Sequence, residues 1–110
     1  MMDLLEKLER ITNDLDVAVK KLRDNGTAYA EAEKNYKMQL SQTALELKEG
    51  GMAVTLIDKV IYGILKVANL RFKRDVAKVV YEANKESINV SKLKLRIVEA
   101  QINREWGQAK

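Results

Sequence analysis

LLEKLERITNDLDVAVKKLRDNGTAYAEAEKNY, residues 4–36, decides the fold class. Apolar or small residues return at Leu4, Leu8, Ile11, Leu15, Ala18 and Leu22, and the same four-three alternation continues through Asn25, Tyr29, Ala32 and Tyr36. At about 3.6 residues per turn this spacing lays a single seam along one side of a helix, of the coiled-coil kind. Beyond Tyr36 the seam moves to Leu40, Ala44 and Leu47, the phase shift of a stutter, which predicts slight local unwinding. Asn25-Gly26 admits two readings. As a turn it splits the segment; within one helix it explains why positions 22, 25 and 29 keep one heptad phase. The continuous helix is adopted, with Gly26 costing about 1 kcal/mol relative to Ala and Asn25 serving as a polar register residue.

Outward from this stretch, Glu49-Gly50-Gly51 supplies a C-terminal stop, because glycine takes the left-handed conformation without steric cost. A reversal follows over 50–54. Thr55 with Asp58 three residues on resembles a capping box and predicts a short helix over about 55–62, with Gly63 as a kink or connection. The last helix, about 64–106, carries two stripes. Phe72, Val76, Val79, Ala83, Val90, Leu93, Ile97 and Ala100 form one, interrupted by Glu86; Ala77, Tyr81, Ile88, Leu95, Val98 and Ile102 form another roughly 150° round the helix.

One neighbouring helix cannot cover both stripes, and the first helix offers one seam. The remaining stripe calls for another partner, most economically a second copy. The expected fold is therefore all-α: a single helical domain over 1–110, an elongated hairpin of two long helices with a short connecting helix, associating into a coiled-coil-like bundle. Tyr81, Ile88, Leu95, Val98 and Ile102 are assigned to the oligomer interface. A helix of about 45 residues is about 70 Å long, too long for a compact globule of this chain length.

Composition agrees. The 110 residues contain no Pro, five Gly and 33% charged side chains, the balance of long helices rather than sheets. No Cys and no His removes disulfides, thiol nucleophiles, imidazole or thiolate metal ligands and the usual general base. Neither a Glu-x-x-His pair nor a Gly-rich phosphate loop is present, so no enzyme activity, metal or cofactor is expected. Charges enter the N-terminus from Asp3, unlike a signal peptide, and the longest apolar stretch, 52–70, is broken by Asp58, Lys59 and Lys66. A cytoplasmic protein without membrane attachment is expected.

Residues 1–50 hold 8 basic and 10 acidic residues, whereas residues 51–110 hold 12 basic and 6 acidic. The densest run, 59–78, has Lys59, Lys66, Arg71, Lys73, Arg74 and Lys78 against Asp75. Lys66, Arg71, Lys73, Arg74 and Lys78 are the candidate contacts for an anionic partner, a nucleotide, nucleic acid or acidic protein patch. The bland alternative is a solvated face, since Asp75 and Glu82 interleave with these bases at helical spacing. Tyr29 and Tyr36 read as core, and Trp106 as either a bundle-end plug or an exposed anchor.

Leu70-Arg71-Phe72-Lys73-Arg74-Asp75, Ile88-Asn89-Val90, Lys92-Leu93, Tyr29-Ala30-Glu31-Ala32-Glu33 and the ending Ala100-Gln101-Ile102-Asn103-Arg104-Glu105-Trp106 together resemble small helical early-region proteins of phages and prophages of Gram-positive bacteria. The resemblance implies a phage protein in a bacterial host cytoplasm. It carries over no functional residue. On that footing the expected function is a non-enzymatic binding protein, a counter-defence inhibitor that occupies a host effector or sequesters a signalling nucleotide. The alternatives are a DNA-binding accessory protein for phage replication or recombination and a structural assembly factor.

Overall fold

The computed structural model describes residues 2–108, which form α1 (Met2–Glu49), α2 (Val54–Val60), a single 3-10 turn (Ile61–Gly63) and α3 (Leu65–Gln108). Among the described residues there is no strand. The protein is an all-α fold, two long helices joined by a short one.

α1 passes through Asn25-Gly26 without a break. The glycine is there for proximity: a Cβ added to Gly26 would stand 3.1 Å from Cε1 of Tyr81. The Tyr81 ring lies against this bare backbone and against Tyr29, with ring centroids 6.1 Å apart and planes tilted by 37°.

The end of α1 is a Schellman motif. The Gly51 amide donates to the Lys48 carbonyl at 3.0 Å and the Met52 amide to the Leu47 carbonyl at 3.1 Å, which satisfies carbonyls that have no further helical partner. This geometry needs the left-handed conformation, and Gly51 has φ 92°. Leu47 and Met52, brought together by the motif, both pack on the core of the reversal.

The start of α2 differs from expectation. Thr55 does not cap it; Ala53, extended at φ −65° and ψ 142°, is the N-cap and gives no side-chain bond. The Leu56 and Ile57 amides donate instead to the Ala53 carbonyl, and Thr55 is already inside the helix. Its hydroxyl therefore arrives two residues too late for a box. Gly63 closes the 3-10 turn, after which Ile64 is extended and accepts the first bond of α3, from Ala68 at 2.8 Å.

Contacts group the described chain into two units. Residues 25–81 form one, in which Tyr36, Ile57, Ile61 and Val67 are buried together and α2 closes the hairpin formed by the facing stretches of α1 and α3. The other comprises the residues up to Asp24 with those from Glu82 onward, where Ile11, Ala18, Ile88 and Val98 are buried. Here the Asn84 Nδ2 donates 2.8 Å to the Ala18 carbonyl, a buried bond from side chain to helix backbone.

Burial along α3 follows an unbroken heptad: Val67, Leu70, Arg74, Ala77, Tyr81, Asn84, Ile88, Ser91, Leu95, Val98 and Ile102 are all buried or half-buried. These are the a and d positions of the inner seam. The five residues assigned from sequence to the oligomer interface, Tyr81, Ile88, Leu95, Val98 and Ile102, therefore belong to this inner seam, which corrects the assignment. Where the chain shows the contact, the seam's partner is α1: Tyr81 on Gly26 and Tyr29, Asn84 on Ala18. Small residues on α1, Gly26 and Ala18, let Tyr81 and Asn84 of α3 approach its backbone closely. The stripe that contains Phe72 is left outside.

Candidate functional site

Three of the five candidate anion contacts are committed within the residue 25–81 unit. Lys66 Nζ lies 3.0 Å from Glu46 Oε2. The Arg71 guanidinium sits over the Tyr62 ring, 5.2 Å from its centroid. Arg74 is the most deeply engaged: only 20% of its side chain is exposed, its guanidinium stacks 4.7 Å from the centroid of buried Tyr36, its Nε donates 2.8 Å to Asp75 Oδ1, and its Nη1 is 3.9 Å from Glu33 Oε1. Arg74 thus occupies an inner-seam position, rather than standing out from the helix as a candidate anion contact or on a solvated face. An apolar stem and a flat cation suit that place, because the stem packs while the charge meets an aromatic face and a carboxylate. The hydrogen bond to Asp75 raises the Arg74 pKa, with desolvation opposing and the charges of Asp75, Tyr36 and Glu33 adding to the rise. Lys73 and Lys78 are exposed.

The five candidates thus do not converge on one concave site. Among the described residues no group of acidic side chains is placed to hold a metal ion, and no helix is long and apolar enough to cross a membrane.

What the structure does bring together is an apolar stripe. Phe72, Val76, Val79, Val90, Leu93 and Ile97 are between 38% and 69% exposed, and with Ala83, Glu86 and Ala100 they occupy every c and f position of α3 from 72 to 100. Scattered exposed apolar residues need no explanation, but this row repeats with the heptad on the reverse of a buried seam and is interrupted by Glu86. α1 has no equivalent: Val17, Met38 and Leu45 share one heptad position, but Asp24 and Glu31 occupy that position between them, and Val19 lies off it. A further exposed apolar group, Val54, Leu56, Val60, Tyr62 and Leu65, surrounds the reversal. Trp106 is exposed in the protomer.

Several inner-seam residues escaped the reading of periodicity. Thr43, 2% exposed and accepting a 2.9 Å bond from Gln39 Nε2, lies on the α1 seam, and Arg74, Asn84 and Ser91 lie on that of α3. All four are polar, so an apolar template passes over them. Continuing the four-three count from Tyr81 regardless of residue type finds Asn84 and Ser91.

A scan against protein families, a search of curated proteins and a search of solved structures each find no match to this chain.

Proposed function

We propose that the protein is a non-enzymatic binding protein that works as a homo-oligomer and acts by occupying a target protein. One observation supports this above the others: α3 is apolar on two opposite faces, and only one of them is covered by the chain itself. A face of this kind is costly in water and is retained where another helix covers it. The exposed apolar group around the reversal is the surface left for the target. In the setting that the resemblance implies, a phage acting in a bacterial cytoplasm, that target is a host effector. The engagement of Lys66, Arg71 and Arg74 in contacts of their own speaks against sequestration of a signalling nucleotide by the 59–78 segment.

Light scattering combined with circular dichroism tests the reading. The wild-type protein is expected to be oligomeric at micromolar concentration, and Val79→Asp or Leu93→Asp is expected to give a monomer of unchanged helicity. A wild-type monomer, or an oligomer indifferent to both substitutions, would overturn it. Binding to duplex DNA that falls by orders of magnitude between about 50 and 200 mM salt would instead support the replication or recombination reading.

A further inference from the structure

We infer that the outer stripe of α3 pairs with the same stripe of a second copy, antiparallel, in one register whose two-fold axis passes between residues 84 and 85. This rests on the reading of the stripe as an assembly face and adds the identity and the geometry of its occupant.

In an antiparallel helix pair the two kinds of seam position meet across the interface, so each c position faces an f position of the partner helix. With the axis between 84 and 85, Phe72 faces Ile97 of the second copy, Val76 faces Leu93, Val79 faces Val90, and Ala83 faces Glu86. Eight of the nine stripe positions are paired in this way, and the ninth, Ala100, falls across from Asn69. The one charged residue in the stripe meets the smallest side chain, which leaves room for the Glu86 stem to bend its carboxylate out to water. A parallel pair would stack each residue on its own copy and set Glu86 against Glu86, a like-charge contact at the centre of an apolar face.

The flanks agree on one side. Asp75 stands across from Arg96 of the second copy, and two-fold symmetry makes that pair twice. In the parallel arrangement these flanking rows form no opposite-charge pair. On the other flank Lys73 stands across from Lys94, so the net electrostatic gain is small and the apolar layers carry the association. A cavity supports the same register independently. A cleft of about 540 Å³, lined by Ile11, Ile97 and Val98 with the stems of Lys7, Arg10 and Lys94 and with Asp14, opens beside Ile97. Phe72, the most exposed side chain of the stripe at 69%, is the one this register delivers there.

The absence of cysteine makes the test direct. Val79→Cys and Val90→Cys proteins are prepared separately, mixed, allowed to exchange subunits and treated with a short bifunctional thiol cross-linker. In the inferred register the mixture yields a covalent dimer. Each variant alone does not, because its two thiols lie about 16 Å apart along the axis. Phe72→Asp is expected to weaken dimerisation at least tenfold in sedimentation equilibrium. Covalent dimers from either variant alone would overturn the antiparallel register while leaving the stripe as the assembly face. An oligomer in which no mixture cross-links and Phe72→Asp has no effect would overturn the inference, and a wild-type monomer by light scattering would overturn the reading beneath it as well.

Discussion

Gly50 and Gly51 stand side by side, yet one is replaceable and the other is not. Gly51 holds a left-handed φ that an L-residue enters at a cost of about 1–2 kcal/mol, so Gly51→Ala should lower stability by that amount in urea unfolding. Gly50→Ala should be near neutral, since its φ is ordinary and the added Cβ makes normal contacts at 3.5 Å. Gly26 behaves differently again. In a free helix Gly→Ala gains about 1 kcal/mol, but here the new methyl presses on the Tyr81 ring. Gly26→Ala is expected to gain less than that in the wild-type protein and the full amount in a Tyr81→Ala background, as a double-mutant cycle would show. The stop at Gly51 was legible in the sequence because its cause is local. The reason for Gly26 was not, because its cause is a tyrosine on another helix.

The inner seam of α3 mixes Val, Ile and Leu with Arg74, Asn84 and Ser91; Arg74 is held by Tyr36 and Glu33 of α1, and Asn84 by the Ala18 carbonyl. Arg74→Ala removes an aromatic stack and two carboxylate contacts and should cost about 1–2 kcal/mol, whereas exposed Lys73→Ala should stay within about 0.5 kcal/mol. The sign of its pH dependence follows from the raised pKa: the contribution is present at all pH below the ordinary guanidinium value and is lost only in strong alkali. The two faces of α3 should also respond differently to the same change. Ile88→Asp buries a charge and should unfold the protein by roughly 3 kcal/mol or more, while Val90→Asp should leave the protomer folded. Periodicity revealed two stripes on this helix but assigned them the wrong way round. Apolar content alone favours the outer stripe as the core, whereas the close approaches of Tyr81 to Gly26 and of Asn84 to the Ala18 carbonyl belong to the inner one.

For the molecule as a whole, the proposed association through an apolar face would link folding to concentration. The midpoint of thermal unfolding should rise with protein concentration in the wild type by mass action and lose that dependence in Leu93→Asp. The net charge of +4 opposes self-association only weakly at physiological salt, where the Debye length is about 8 Å, so adding salt should not dissociate the assembly.

The all-α class, the reach of the two long helices, the stop at Gly51 and the absence of His and Cys chemistry were determined by the sequence alone. Each depends on spacing along the chain or on residue identity, and neither requires knowledge of a neighbour. The tertiary structure decided which side of α3 is inner, that Arg74 is a packing residue rather than a free cation, and that Asn84 bonds to the backbone at Ala18. These depend on how closely two helices can approach. That distance is set by pairs of residues far apart in the chain, for which a single strand of letters carries no register.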